Sequence, residues 1–222
     1  MVGYLRGLGF FRYATLNSIV EKLNSLESET RSELSFFSSD HVEMIFTTKE
    51  KILLERVIAI GQGPISQDVD YQIAIARKIL VPATPSSPTS FVSSSCQKYF
   101  NMMNASLCDE IGRGVIISSG YRSPYYHAMV FLKVLAEKPF TPNQAYERVA
   151  PPRHSEHCDP YNPAIDIQNE FGLPTFHEPH LFGQSGEYMW LKKNAGAFFF
   201  IQTHADSEFD LKEEAWHWRY CQ

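Results

Sequence analysis

The sequence lacks an excess of basic residues, and it lacks any long run of apolar ones. Its 20 Lys and Arg residues are outnumbered by 25 Asp and Glu residues, for a net charge of −5. It therefore carries no basic field suited to nucleic acid or to an anionic membrane. The longest apolar runs, such as residues 195–201, fall far short of the roughly 20 residues that a membrane-spanning helix requires. We expect neither a nucleic-acid partner nor an integral membrane segment.

The sequence is also poor in signals for export and for disulfide bonding. Its first 23 residues contain no clean apolar core before a small-residue cleavage site, so they do not resemble a signal peptide. An exported protein would therefore be a mature form or use another route. The four cysteines (Cys96, Cys108, Cys158 and Cys221) allow three pairings, which the sequence does not distinguish. Because Cys96 and Cys108 flank a predicted helix, about 18 Å would separate them, too far for a disulfide bond.

Composition and apolar spacing indicate a folded α+β protein. Hydrophobic residues make up 44% of the 222 positions and aromatic residues 14%, a composition typical of globular proteins rather than disordered ones. Predicted helices come first and predicted strands mostly follow, an order typical of α+β folds rather than of alternating βα units. We predict a mostly helical N-terminal extension of unassigned role over residues 1–74 and a catalytic domain over residues 75–222.

The predicted elements follow from apolar periodicity and from capping and turn residues. Helices are predicted over residues 16–26, 47–60, 69–80, 96–112, 123–138, 141–150 and 187–197. Strands are predicted over residues 114–118, 162–168, 198–203 and 215–220, and a Pro/Ser-rich loop over residues 82–95.

Alternation in the last predicted strand separates polar from aromatic side chains. Successive side chains of a strand point to opposite faces. His217 and Arg219 therefore share one face, while Trp216, Trp218 and Tyr220 share the other. The aromatic face is suited to a core, and the histidine on the opposite face can line a cleft. Taken alone, a structural histidine is the simpler interpretation.

An aspartate lies at the centre of another apolar strand. Ile165 and Ile167 are expected to point to one face and Asp166 to the other. Burying a carboxylate is costly unless it is paired or binds a metal. Taken alone, an aspartate satisfied by an arginine or by backbone amides is the simpler interpretation.

His157 lies nine residues before Asp166, and with His217 these residues form a candidate zinc site. Three protein ligands leave a fourth position for water, which is the pattern of catalytic zinc sites. Zinc lowers the pKa of a bound water from about 15.7 to about 7. A hydrolase then needs a carboxylate to accept the proton. Glu214, three residues before His217, is preferred over Glu213 for this role.

Other potential ligands have weaker sequence contexts. The thiolate of Cys158 could bind a metal, but it directly follows His157 and three other ligands suffice. On a loop, the three-residue spacing of His154 and His157 fixes no geometry, so His154 is predicted to support the site or to be exposed. The remaining histidines are predicted to be bystanders: His41, His177, His180 and His204.

Four motifs occur in the order found in VanY-type D-alanyl-D-alanine carboxypeptidases. They are SSGYRSP (118–124), SEH…AIDI (155–167), WLKKNA (190–195) and EAWHWRY (214–220). The sequence resembles this family over roughly residues 75–222. The family belongs to a zinc peptidase group that also includes lysostaphin-like enzymes and hedgehog domains. The resemblance implies an α+β fold in which helices pack on one side of a small antiparallel sheet.

The resemblance also implies roles for individual residues. It implies one zinc ion bound by His157, Asp166 and His217, with Glu214 as the general base. It implies that Arg122 binds the terminal carboxylate of a peptide or the developing oxyanion, since a guanidinium holds a carboxylate through two parallel hydrogen bonds. A salt bridge that orders the loop is the alternative for Arg122.

Ser123, Ser155 and His127 are further candidates for substrate binding. For Ser155, a simple hydrogen bond within its loop is an equal alternative. His127 stands at a position that is often Gln in similar sequences. Because its helix is expected to border the site, the resemblance does not determine the substrate selectivity. The connection between His157 and Asp166 is two residues longer than in the family, and Asn-Pro replaces its glycine region. Anchored loops tolerate such insertions.

The implied activity is hydrolysis of bacterial peptidoglycan stem peptides or muropeptides in the cell envelope, either periplasmic or secreted. A D,D- or L,D-carboxypeptidase is favoured, because Arg122 would pair with a free terminal carboxylate. One alternative is a phage-type endopeptidase that cleaves an L-alanyl–D-glutamate bond. Another is a non-catalytic zinc-binding module, against which Glu214 argues. The bond cleaved and the oligomeric state are left open by the sequence.

Overall fold

The computed structural model describes residues 13–29, 34–60, 71–86, 90–137, 145, 148–174, 178–203 and 214–222. The helices are α1 (Tyr13–Glu29), α2 (Ser39–Ile45), α3 (Thr48–Ile60), α4 (Tyr71–Ala76), α5 (Ser94–Ile111), α6 (Pro124–Ala136) and α7 (Gly186–Asn194). The strands are β1 (Leu80–Pro82), β2 (Phe91–Ser93), β3 (Val115–Ser119), β4 (Ala164–Asn169), β5 (Phe200–Ile201) and β6 (His217–Tyr220). Short 3-10 turns span Glu156–Cys158, Pro179–Gln184 and Ala195–Phe198.

Most predicted elements are confirmed. However, α2 (Ser39–Ile45) was not predicted, and the strand predicted over 198–203 is limited to Phe200–Ile201. The remaining differences lie around the Pro/Ser-rich stretch. The helix predicted over 69–80 ends at Ala76, and β1 begins at Leu80. The loop predicted over 82–95 contains β2 and the start of α5, so that prediction is wrong at its C-terminal end. β1 and β2 are antiparallel partners of three residues each, too short to show a period of two. The helix predicted over 141–150 falls largely outside the described residues.

A four-stranded antiparallel sheet in the order β3–β4–β6–β5 carries the candidate site. Asp166 on β4 is the direct register partner of His217 on β6. On the other edge of β4, Ser119 at the end of β3 is also paired with Asp166, after a register irregularity that follows Ile117. The sheet therefore brings three distant sequence segments to one point.

The two faces of this sheet differ as the alternation predicts. Ile165, Ile167, Trp218 and Tyr220 lie in one apolar cluster together with residues of α5 and α7. Asp166, His217 and Arg219 project from the opposite face. There, His217 forms a hydrogen bond with Asp166, and Arg219 donates to Glu156. The expected α+β fold, with helices packed on one side of a small antiparallel sheet, is confirmed.

A second apolar cluster joins the N-terminal helices to α6. Ile19 and Leu23 of α1 and Leu54 of α3 are fully buried in it with Met129 of α6. Burial of such side chains contributes about 1.5–3 kcal/mol each. The N-terminal segment thus packs against the helix that follows Arg122, while the predicted boundary between residues 74 and 75 stays a prediction.

Two further expectations concern membranes and cysteines. Within the described residues, no helix combines the length and apolar character needed to cross a membrane. The four cysteines, left open above, are all free thiols. Cys96 and Cys158 are buried, whereas Cys108 and Cys221 are exposed.

Candidate metal centre

His157, Asp166 and His217 converge as the sequence predicts. Their potential ligand atoms all lie within 4.8 Å of one another. Oδ1 of Asp166 lies 3.3 Å from Nε2 of His157 and 3.1 Å from Nδ1 of His217. Two imidazole nitrogens and one carboxylate oxygen around a common point suit zinc and leave a coordination position open.

Backbone structure positions each of the three side chains. His157 lies at the centre of the 3-10 turn Glu156–Cys158, and its carbonyl accepts the backbone N–H of Arg122 at 2.9 Å. Asp166 and His217 face each other across adjacent strands. Since antiparallel partners hold their Cβ atoms about 4.5–5.5 Å apart, the register alone brings these two side chains together.

The outer nitrogen of each histidine is occupied by a protein acceptor. Nδ1 of His157 donates to the carbonyl of Gly120 at 2.8 Å, which leaves Nε2 facing Asp166. Nε2 of His217 donates to Oε2 of Glu156 at 3.1 Å, which leaves Nδ1 facing Asp166. A carbonyl or carboxylate oxygen can only accept from these rings, so these contacts make the outer nitrogen of each ring a donor and turn the inner nitrogen towards Asp166.

Glu156 is a site residue that sequence reasoning missed. Its carboxylate accepts hydrogen bonds from His217, from the Thr203 hydroxyl and, at 3.4 Å, from Nη1 of Arg219. Nη2 of Arg219 lies 3.4 Å from Oδ2 of Asp159. The sequence signal was the position of Glu156 beside His157, together with Arg219 on the same strand face as His217.

Asp159 stabilises the longer connection between His157 and Asp166. Its Oδ1 accepts the backbone N–H groups of Tyr161 and Asn162 at 2.9 and 3.0 Å, as aspartates commonly do in turns. Through Arg219, this turn is joined to Glu156. The two extra residues are thus accommodated by an ordered turn tied to β6.

Arg122 pairs directly with the candidate ligand Asp166. Its Nη2 donates to Oδ2 of Asp166 at 2.8 Å. Nε and Nη2 also donate to the hydroxyl of Ser119 at 3.1 and 2.8 Å. Nη1 has no hydrogen-bond acceptor among the described residues. The side chain is therefore fixed on one edge while one nitrogen remains available to a ligand.

The charges within this cluster shift the pKa values of its members. Burial alone would raise the pKa of Asp166, but the charges and hydrogen bonds of His157, His217 and Arg122 hold that pKa well below its usual range. Burial and the nearby Arg122 charge lower the pKa of His157. Burial would lower the pKa of His217, but hydrogen bonds to Asp166 and Glu156 raise it to about 9.

Glu214 lies at the start of the chain segment that leads into His217. Its carbonyl accepts the backbone N–H of His217 at 3.0 Å and Nε2 of Gln202 at 3.2 Å. Its carboxylate is close enough for its charge to contribute to the raised pKa of His217. The residue is half-buried, whereas Glu213 lies outside the described residues.

The additional substrate-binding candidates have mainly structural contacts. Ser123 caps α6 by accepting the backbone N–H of Tyr126 at 3.1 Å. Ser155 is buried at the start of the 3-10 turn that carries His157. His127 is buried, and its Nε2 contacts the carbonyl of Ala150 at 2.9 Å. Burial and the Arg122 charge lower the pKa of His127 to about 3, so its imidazole is neutral. Substrate contact for Ser123, Ser155 and His127 stays a prediction.

The residues predicted to be bystanders are not part of the candidate ligand group. Within the described residues, that group contains neither Cys158 nor His154, His41 or His180. Burial raises the pKa of the Cys158 thiol to about 12, which keeps it protonated and a poor ligand. His177 and His204 lie outside the described residues.

Comparisons with known proteins agree with the fold and with the resemblance to the VanY-type family. A family model described as VanY, D-alanyl-D-alanine carboxypeptidase, matches residues 89–222. The LdcB LD-carboxypeptidase is similar in structure, with a TM-score of 0.53, 22% identity, and coverage of 64% of this chain and 67% of that chain. VanYB in complex with D-alanine-D-alanine gives a TM-score of 0.50 and 24% identity over 64% of this chain and 76% of that chain. The search of curated proteins gives no match.

Proposed function

The chain belongs to the VanY family of D-alanyl-D-alanine carboxypeptidases, and from this we propose that it is a zinc-dependent carboxypeptidase of peptidoglycan stem peptides. It would remove the C-terminal residue of the stem as a D,D- or L,D-carboxypeptidase. Two solved relatives support this proposal: one is an LD-carboxypeptidase whose structure reveals the basis of peptidoglycan recognition, and the other is in complex with D-alanine-D-alanine. The site of action would be the cell envelope, either periplasmic or secreted.

One observation carries this proposal: the carboxylate of the candidate ligand Asp166 contacts both candidate histidine ligands and a partly available arginine. Oδ1 of Asp166 faces His157 and His217, while its Oδ2 accepts from Arg122. A cation fixed beside a metal-binding group can hold a negatively charged substrate end next to the reacting bond. This favours a peptidase that recognises a free C-terminus over one that cuts within a chain.

The residues then have separate tasks. Zinc held by His157, Asp166 and His217 would activate a water molecule and polarise the peptide carbonyl. Glu214 would accept the proton of the attacking water and return it to the leaving amine. Nη1 of Arg122 would bind the terminal carboxylate of the substrate or the oxyanion that develops during attack.

Digestion of defined muropeptides tests the proposal. We expect mass spectrometry to show loss of one C-terminal residue from pentapeptide or tetrapeptide stems, and we expect a chelator to abolish it and added zinc to restore it. Pentapeptide preference would assign D,D-activity, and tetrapeptide preference L,D-activity. An internal cut would instead identify an endopeptidase, and activity that survives complete metal removal would contradict zinc dependence.

A further inference from the structure

A small polar pocket lies beside Arg122, and part of its wall comes from the N-terminal segment. Its lining includes the hydroxyl-bearing residues Ser35, Ser90, Ser118 and Ser119 together with Arg122. Its volume is about 20 Å³, enough for one water molecule or a group of similar size such as a methyl. Ser35 precedes residue 89, where the match to the family begins, so this wall lies outside the matched residues.

Ser35 is held in place by the start of α6. The backbone N–H of Ser123 donates to the carbonyl of Ser35 at 2.9 Å. The Ser123 hydroxyl contacts the carbonyl of Leu34 at 3.5 Å. Since Ser123 directly follows Arg122 and caps α6, Ser35 and Arg122 are fixed to the same short piece of backbone. Ser35 itself is only 5% exposed.

The residue after Ser35 packs against Tyr121, which also lines the pocket. The ring of Phe36 packs against Phe91 and Tyr121 with centroid separations of 4.6 and 5.9 Å. The backbone N–H of Tyr121 donates to the carbonyl of Phe91 at 2.6 Å. Phe91 follows Ser90 in the lining, and Tyr121 precedes Arg122. Aromatic packing and this hydrogen bond therefore join the segments that carry Ser35, Ser90 and Arg122.

A second contact anchors the N-terminal segment near this pocket. Tyr126, which also lines the pocket, approaches Oε1 of Glu27 on α1 at 3.4 Å with its hydroxyl. Oε2 of Glu27 accepts from Lys133 of α6 at 2.7 Å. Because α1 and α6 are also joined through a shared apolar cluster, the segment that contains Ser35 is held on both sides.

We propose that Ser35 limits the C-terminal residue of the substrate to one with a very small side chain. This inference rests on the proposed carboxypeptidase function. Because Arg122 also lines the pocket, a terminal carboxylate bound by its guanidinium would bring the side chain of the same residue close to the pocket. The volume of the pocket suits a methyl group, as in alanine, and its anchored walls oppose the entry of larger groups. The N-terminal segment thereby determines specificity for the last residue.

Two opposite substitutions at Ser35 test this role. Ser35→Gly enlarges the pocket, and we expect the ratio of kcat/KM for stems ending in D-alanine over D-2-aminobutyrate to fall about tenfold, as for one methylene in a tight pocket. Ser35→Thr adds a methyl group while keeping the hydroxyl, and we expect it to reduce kcat/KM for D-alanine relative to glycine-terminated stems. The matched control is Ser39→Gly, an exposed serine of the same segment, which should leave both ratios unchanged.

Folding and binding measurements separate this inference from the proposed function. Circular dichroism and thermal melting identify variants that fail to fold, and the smaller change Ser35→Ala then replaces Ser35→Gly. If the wild-type protein hydrolyses no stem peptide, the proposed function fails, and calorimetric binding of the same three peptides measures selectivity instead. Terminal-residue ratios equal to those of the wild type in both Ser35→Gly and Ser35→Thr, in either assay, would overturn the role of Ser35.

Discussion

The guanidinium of Arg122 donates to one oxygen of Asp166 at 2.8 Å, while the other oxygen of that carboxylate faces both candidate histidine ligands. One aspartate thus links the group that would bind the substrate to the group that would bind the metal. The hydroxyl of Ser119 accepts from Nε and Nη2 of the same guanidinium. Geometry at the metal and at the carboxylate-binding position is therefore coupled through two hydrogen-bonded side chains.

Replacing Arg122 by lysine should separate charge from geometry. A lysine keeps the positive charge but cannot bond Asp166, Ser119 and a substrate carboxylate from one planar group. We expect kcat/KM on stem peptides to fall about 100-fold, the typical loss for one oxyanion-stabilising donor. Steady-state kinetics with separate kcat and KM values provide the measurement. Wild-type kinetics in Arg122→Lys would show that the arginine only orders its loop.

Replacing Glu214 by glutamine should remove the proton acceptor while preserving shape. We expect kcat to fall about 10²–10⁴-fold, the usual contribution of a positioned general base. Zinc content, measured by elemental analysis, should stay at the wild-type level, because Glu214 is outside the group formed by His157, Asp166 and His217. Hydrolysis by Glu214→Gln at the wild-type rate would contradict the proposed mechanism.

Glu156 should act through His217. Its carboxylate accepts from Nε2 of the imidazole and directs Nδ1 towards Asp166. Loss of such an orienting partner typically weakens metal binding about 10–100-fold. We therefore expect Glu156→Ala to lower zinc affinity by this factor in competition with a chromophoric chelator.

Two further variants control the Glu156 experiment. Glu55→Ala, at an exposed position on α3, should keep wild-type zinc affinity. Glu156→Gln retains an oxygen that can accept from His217 and should lose less affinity than Glu156→Ala. Equal zinc affinity in Glu156→Ala and in the wild type would show that the strand pairing alone orients His217.

Glu50, which lies outside the candidate site, should make folding stability depend on pH. Its carboxylate is buried and accepts from Lys22 at 2.7 Å and from the backbone N–H of Thr47 at 2.6 Å. Burial would raise its pKa, but these bonds and one from Ser18 lower it from 4.5 to about 2. The contribution of ionised Glu50 to folding stability is therefore complete above its pKa in the unfolded chain, about 4.5, and is lost as the pH falls towards 2.

Denaturant unfolding at pH 7 and at pH 3 measures this contribution. We expect Glu50→Gln to destabilise the protein by about 2 kcal/mol at pH 7, allowing for solvent screening, and by clearly less at pH 3. The control Glu43→Gln removes a carboxylate that is 65% exposed and paired with Lys51, and it should cost under about 1 kcal/mol at either pH. A Glu50→Gln penalty that does not change with pH would contradict the lowered pKa.

Strand alternation explains why much of the candidate site could be predicted. The positions of Asp166 between Ile165 and Ile167, and of His217 before Trp218, determine which face each side chain joins, because alternation is a local property of an extended backbone. The contents of a face therefore follow from neighbouring residues. The same reasoning failed for β1 and β2, whose three residues each are too few to show a period.

The amino-acid sequence by itself determined the α+β class, the main helices, and the residues presented opposite the core at residues 166 and 217. Only the tertiary structure decided which distant segments meet them. Glu156 contacts His217 across 61 positions, and Ser35 lines the pocket of Arg122 although it lies far upstream. Such contacts depend on strand register and helix packing between remote segments. No local pattern in the sequence predicts these contacts, because they form only when the remote segments fold together.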